Sequence, residues 1–370
     1  MEPPACDDVS AEIDLRAEPW FNHAGYEGAD PPLFVEGRGT LRRAAIGVSL
    51  FLVGLVGWSW VFAPAPIKIS LEAMMGRDGA PALDDAPIAL GPEGWAASLS
   101  EEANYSGDAE SLPPPRVGDW LYHFPEQGQT FGQFAAQSQN RRTAERHTIY
   151  VVHLGHLGRD LQPTHAVTTE FLGAYYDAPT RFLPPMDLPH RAFDDQRGQY
   201  DAREILDALA EHIPDDAMGI LAITDRDLFI PSVNYVFGLG SSRQRVAVFS
   251  THRFGDDRSI SGARGTVLRR SMTVAVHEFG HVLAMRHCTA FRCIMNGTNS
   301  MEEADHHTLH LCPVCRRKAE LAMRYHRQDR YARLLDFYDK YGFEEESAFV
   351  RRRLDPPIIE FLDEQGRPLP

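Results

Sequence analysis

His277, Glu278 and His281 form an HExxH pattern inside "HEFGHVLAMRHCTAFRCIMNG", His277 to Gly297. On a helix, residues four apart lie one turn apart on the same face, so these two imidazoles can reach a single cation. Glu278 points about 100° further round the axis, where it can reach a water held by that cation without ligating it. Two histidines leave a tetrahedral ion short of partners. His287, six residues after His281, leaves room for the helix to end and the chain to fold back with a third imidazole. Three neutral imidazoles and one open position match a catalytic zinc better than a closed structural one. Zinc in such a site lowers the pKa of its water towards about 7 and polarises a carbonyl. The expected ligands are therefore His277, His281 and His287, the expected general base is Glu278, and the expected chemistry is hydrolysis of a peptide or protein substrate.

A second cluster follows at once. The chain has five cysteines, too few for a disulfide scaffold at 370 residues, and Cys288, Cys293, Cys312 and Cys315 lie close together in the sequence. Four thiolates close a zinc tetrahedron to water, which makes the site structural. It would staple the end of the catalytic helix to the helix that begins "CPVCRRKAELAM". A redox Cys-x-x-Cys would leave Cys288 and Cys293 unexplained. The expectation is two zinc ions per chain, one catalytic and one structural. His306, His307 and His310 lie nearby and could replace a ligand, though such histidines are more often surface or cap residues, and they are left unassigned. Cys6 stands alone and carries no role.

These side chains need a scaffold to hold them. From Thr148 onward, β-branched runs ("TIYVVHL", "GILAIT", "RVAVFSTHRF") alternate with helical spacing ("HAVTTEFLGAYYDA", "DAREILDALAEHI"), which predicts an α/β fold with a mixed sheet and packed helices. "TVLRRSMTVAVHEFGHVLAM", Thr266 to Met285, is the expected catalytic helix, and two or three helices follow between Pro313 and Leu354.

Composition narrows the partners. The net charge of −15 and pI near 5.5 exclude a general nucleic-acid partner, because phosphate binding requires a positive surface. Residues 1–43 are rich in acids, Pro and Gly and are expected to be a disordered tail. Residues 44–63, "AAIGVSLFLVGLVGWSWVFA", carry no charge over 20 positions, enough as a helix to span roughly 30 Å, and read as a single transmembrane helix. A buried core helix and a cleaved signal peptide are the alternatives. Arg38, Arg42 and Arg43 precede this run and only Lys68 closely follows it. That bias would place the catalytic domain outside the cytoplasm, with a cytoplasmic domain as the alternative. Residues 64–145 read as a linker and partly ordered lead-in with an apolar island at Gly118 to Phe134, residues 146–325 as the catalytic domain, and residues 326–370 as C-terminal helices and tail.

"HEFGHVLAMRHC", "CIM" and "CPVC", in this order, resemble the archaemetzincin family of zinc metallopeptidases in the metzincin clan. The resemblance runs over Thr148 to about Leu321, and "DRDLFIPSVNYVFGLGSSRQRVAVFST" is similar to the family's edge-strand region. It implies a metzincin-like domain with a twisted sheet, a catalytic zinc on His277, His281 and His287, Glu278 as general base, Met295 as the Met-turn methionine, and the four cysteines as structural zinc ligands. It also implies a peptidase, aminopeptidase-like in some members. Other members show little activity, so a catalytically silent zinc-binding scaffold of the same fold is the alternative, which an intact Glu278 disfavours. Ala284 departs from the glycine usual in metzincins, where the residue often turns left-handed towards the third histidine. A Cβ there costs on the order of 1 kcal/mol. The apolar run 44–63 is a second departure, since the family is typically soluble and intracellular. Sequons stand at Asn104 and Asn296, and a sugar on Asn296 would crowd the cleft. The cleft rim is expected from Asn234 to Gly240 and the loop after Met295.

Overall fold

The computed structural model describes residues 110–156, 158–257, 259–260 and 265–354. In chain order its elements are α1 (Trp120–His123), α2 (Phe131–Gln137), β1 (Thr148–His153), α3 (Gln162–Tyr176), β2 (Thr180–Phe182), β3 (Phe193–Asp194), β4 (Gln199–Asp201), α4 (Ala202–Ala210), β5 (Ala217–Thr224) and β6 (Leu228–Phe229). They continue with β7 (Gly238–Ser241), β8 (Val246–Ser250), α5 (Thr266–Val282), α6 (Met301–Asp305), α7 (Pro313–Met323), α8 (Arg327–Tyr341) and α9 (Glu344–Leu354).

Strands β1, β5 and β8 are nearly continuous apolar runs and are buried along their length, the pattern of parallel strands covered on both faces. They form the centre of a five-stranded mixed sheet in the order β2-β1-β5-β8-β7. All its pairings are parallel except the last, where β7 runs antiparallel to β8 and forms one edge. A small sheet of β3, β4 and β6 stands apart.

Because side chains alternate along a strand, the sheet divides the interior in two. Ile149, Val151, Leu221, Ile223, Ala247 and Phe249 face the larger core with α3 and α5. Tyr150, Val152, Ile220, Ala222, Val246 and Val248 face a smaller one with Ile205, Leu206 and Leu209 of α4. Each fully buried Val, Leu, Ile or Phe side chain among these contributes about 1.5–3 kcal/mol. Helix α5 lies close on the sheet at Gly219, where a Cβ would come within 2.7 Å of Val282 Cγ1.

Three differences from the sequence reading bear on the site. Helix α5 ends at Val282, short of the expected Met285, because Ala284 takes a left-handed turn at φ 68°. The core does not stop at residue 325: Leu334, Phe337, Tyr338, Phe343 and Val350 join the larger cluster, with the Phe337 ring 5.1 Å from that of Phe171 on α3. Part of the lead-in is built into the domain. Helix α2 starts with a capping box between Thr130 and Gln133, and Phe134 is fully buried in the same core.

The tail 1–43, the apolar run 44–63 and residues 64–109 lie outside the described residues. Among the described residues no helix is long and apolar enough to cross a membrane.

Candidate metal centres

Helix α5 presents His277 and His281 on one face, and the chain leaves it through a tight reversal. The Met285 amide donates to Gly280 O at 3.0 Å and the Ala284 amide to His281 O at 2.9 Å. The expected left-handed residue at position 284 is present, adopted by an alanine. The turn brings His287 back to the helix: ring centroids are 4.7 Å apart for His277 and His281, 5.2 Å for His277 and His287, and 5.0 Å for His281 and His287.

Hydrogen bonding settles which nitrogen of each ring faces inward. The Nδ1 atoms of His277 and His281 lie 2.8 Å from Ile294 O and Met285 O, and that of His287 lies 2.6 Å from Glu126 Oε1. Carbonyls and carboxylates only accept, so each Nδ1 carries a proton and each ring is left with its Nε2 for the centre. Burial pushes His277 well below the ordinary histidine range and His281 down to about 4, so neither ring takes a second proton at neutral pH. Their Nε2 atoms nevertheless stand 3.0 Å apart, an arrangement that repels unless a cation lies between. A tetrahedral zinc with bonds of about 2.0–2.1 Å sets ligand nitrogens about 3.3 Å apart, so the donor set fits zinc.

Glu278 is 6% exposed and lies outside this ligand group. Its carboxylate rests against the edge strand: a Cβ on Gly238 would meet Glu278 Cγ, Cδ and Oε1 at 2.5–2.6 Å, and one on Gly240 would meet Glu278 O at 2.5 Å and His281 Cβ at 2.8 Å. Burial pushes the acid up to about 8. Met295 is fully buried beneath the helix, and a Cβ on Gly280 would meet its Sδ at 2.5 Å. The Met295 carbonyl accepts from the Cys288 amide at 2.7 Å.

That contact leads to the second centre. Cys288, Cys293, Cys312 and Cys315 are free thiols, all buried, with their sulfurs gathered within 4.8 Å of one another. The Cys288 and Cys312 sulfurs are 3.7 Å apart, against about 3.8 Å for a zinc tetrahedron with Zn–S near 2.3 Å. Backbone amides of Cys312 and Cys315 point at Cys293 Sγ and Cys312 Sγ, at 3.3 and 3.5 Å. Burial pushes the Cys293 and Cys312 thiols well up, while hydrogen bonds from the other three thiols pull Cys288 well down. A divalent cation is what lets several thiolates share one dry pocket. Asn296 ties the loop together, donating to Cys288 O at 2.6 Å and Phe291 O at 2.8 Å and accepting from the Cys293 amide at 2.8 Å. At 2% exposure this sequon asparagine is closed to a sugar in the folded chain.

The structure thus gathers every ligand expected from the sequence into one group or the other. His306, His307 and His310 belong to neither. His307 Nδ1 lies 3.3 Å from Thr298 Oγ1 and the His310 ring stacks on Phe349 at 3.5 Å.

The model of Peptidase family M54 matches residues 177–321, a span that contains both centres. Archaemetzincin-2 of Mus musculus is 29% identical over 292 residues, covering 66% of this chain and 80% of that protein. An archaemetzincin of Halobacterium salinarum is 35% identical over 153 residues, covering 40% of this chain and 86% of that one. The chain belongs to the archaemetzincin family. It is accordingly a zinc metallopeptidase, a hydrolase acting on peptide bonds. Among solved structures, the archaemetzincin of Methanopyrus kandleri matches with 25% identity and a TM-score of 0.44, over 50% of this chain and 99% of that one.

Sequence reasoning missed one group in this archaemetzincin. Trp120, Glu126 and Gln129 reach the turn that carries His287 from far upstream, and they precede the residues that the family model matches. The apolar island at Gly118 to Phe134 was the available signal. Nothing in its spacing points to a partner 161 residues away.

Proposed function

We propose that the three imidazoles hold the catalytic zinc of a peptide-bond hydrolase, that Glu278 is its general base, and that the four cysteines hold a second, structural zinc. The observation that carries this reading is the set of Nδ1 hydrogen bonds, which leaves the Nε2 atoms of three rings gathered by the fold free for a metal. Zinc bound there would supply a Lewis acid for the scissile carbonyl and would acidify water.

The protein's own residues do the rest. Glu278, next to His277 in sequence and clasped by Gly238, takes the proton from the attacking water on its carboxylate and returns it to the leaving amine. Strand β7 ends the sheet, so its outer edge can pair with an extended substrate backbone as one more strand. Its glycines let that strand pass close over Glu278 and His281. The Cys centre joins the loop after α5 to the N-terminus of α7, where Cys312 is the cap residue, and so fixes the floor under Met295.

Metal analysis, paired with hydrolysis of a peptide library by the native protein and by Glu278→Ala, tests the reading. Two zinc ions per chain in both proteins, with cleavage reduced about 10²–10⁴-fold in the variant, is the expected result. Two zinc ions and no cleavage by either would favour the silent scaffold. Aminopeptidase-like cleavage, drawn from the family resemblance, predicts that acetylated N termini block turnover. The uncharged run 44–63 supports a single-pass tether, the excess of Arg before it over Lys after it favours a catalytic domain outside the cytoplasm with a cytoplasmic domain as the alternative, and release of the full chain from membranes by alkaline carbonate would refute the tether.

A further inference from the structure

His287 is the one imidazole of the three that does not ride on α5, and upstream residues surround the turn that carries it. Gln129 Nε2 donates to Ala284 O at 3.2 Å, and its Oε1 accepts from the Arg286 amide at 3.3 Å. Glu126 Oε1 accepts from His287 Nδ1 and from Trp120 Nε1, each at 2.6 Å. The Trp120 ring stands edge-on to His287 at 5.3 Å and covers Gly297 so closely that a Cβ there would collide with the indole. The strap is anchored in turn: Glu303 accepts from the Trp120 amide at 3.0 and 3.1 Å and from the Asn299 amide at 2.7 Å.

His277 and His281 need only a backbone carbonyl to fix their tautomers, because the helix already fixes their positions. His287 sits on a loop, and there a nearly buried carboxylate, 9% exposed, takes the carbonyl's place. A carboxylate bonded to the outer nitrogen both orients the ring and raises its basicity as a donor. Glu126 lies outside the ligand group itself.

We propose that Glu126, held by Trp120, is the positioning residue of the third imidazole, and that the strap from Trp120 to Gln129 is part of the catalytic metal site rather than a lead-in to the domain. This rests on the catalytic-zinc reading above.

The test is zinc stoichiometry and affinity of the full chain by chelator competition, with the visible spectrum of the cobalt-substituted protein as a second readout. Glu126→Gln keeps an acceptor and loses the charge; Glu126→Leu loses both. The expected result is zinc at the histidine site weakened by about 10-fold in the first and about 100-fold in the second, an altered cobalt spectrum, and an unchanged cysteine site. Trp120→Phe should move affinity the same way by less. Wild-type zinc affinity and cobalt spectrum in Glu126→Gln and Glu126→Leu would overturn the proposal, and should the leucine variant not fold, the near-isosteric glutamine variant decides alone. His277→Ala serves as the reference: if it holds as much zinc as the native chain, the catalytic-zinc reading itself fails, whatever Glu126 does.

Discussion

Gly238 on the edge strand lies against the Glu278 carboxylate with no room for a methyl group, since a Cβ there would stand 2.5–2.6 Å from three atoms of that side chain. Gly238→Ala must therefore displace the proposed base while leaving all seven proposed metal ligands untouched. Misplacing a reacting group by about 1 Å can cost on the order of 100-fold, so kcat/KM should fall about 10–100-fold with zinc content unchanged. Steady-state kinetics beside metal analysis checks this, and full activity in the variant would remove Glu278 from the mechanism.

Ala284 holds φ 68°, where a Cβ costs on the order of 1 kcal/mol and glycine costs nothing sterically. Glycine also gives the unfolded chain more freedom, which offsets part of the gain. Ala284→Gly should raise unfolding stability by about 0.5 kcal/mol and leave zinc affinity and turnover unchanged. Urea denaturation of the zinc-loaded protein is the measurement. A loss of stability would show that contacts of the half-buried methyl outweigh the backbone strain.

The Asn296 amide satisfies two carbonyls and one amide in a dry loop between proposed zinc ligands. Asn296→Ala strands all three groups, and at roughly 1–3 kcal/mol for each unmet buried group, partly relieved by water, the cost should reach about 2–4 kcal/mol. The cysteine-site zinc should also be released to chelators faster than in the native chain. A stability change within about 0.5 kcal/mol of zero would contradict this account of the loop.

His153 stacks on His165 with Nδ1 atoms 3.2 Å apart and on Phe182, and burial pushes it down to about 4. An unfolded histidine titrates near 6.5. Between these values the unfolded chain takes up a proton that the folded one refuses. Stability contributed here is therefore complete above about pH 6.5 and falls as pH drops towards 4, by at most about 1.4 kcal/mol per pH unit. Both proposed zinc centres would also weaken in acid, so the comparison is with His153→Leu, whose urea midpoints from pH 7 to pH 5 should slope less steeply. Parallel slopes would mean that His153 carries no such linkage.

The two candidate metal groups were legible in the sequence because most of their arrangement is local. HExxH places two candidate ligands and a carboxylate by helix geometry alone, His287 follows six residues after His281, and the four cysteines lie close together in the sequence. The sheet was legible for a related reason: β1, β5 and β8 are buried nearly throughout and are written as short, β-branched apolar runs, the signal of strand candidates. Tertiary structure decided the rest. The tautomers depend on carbonyls of Ile294 and Met285 and on the carboxylate of Glu126, groups placed by chain reversals that no periodic pattern records. The clasp on Glu278 depends on β7, a strand of small residues with little hydrophobic signal, adding to the sheet edge beside α5. Glu126, Trp120 and Gln129 reach the site across a long loop, and the closure of such a loop is settled by the sum of many weak contacts made only once the core exists. Local spacing can specify which atoms are able to bind a metal, but orienting them takes hydrogen bonds between segments remote in sequence, and those form only in the folded chain.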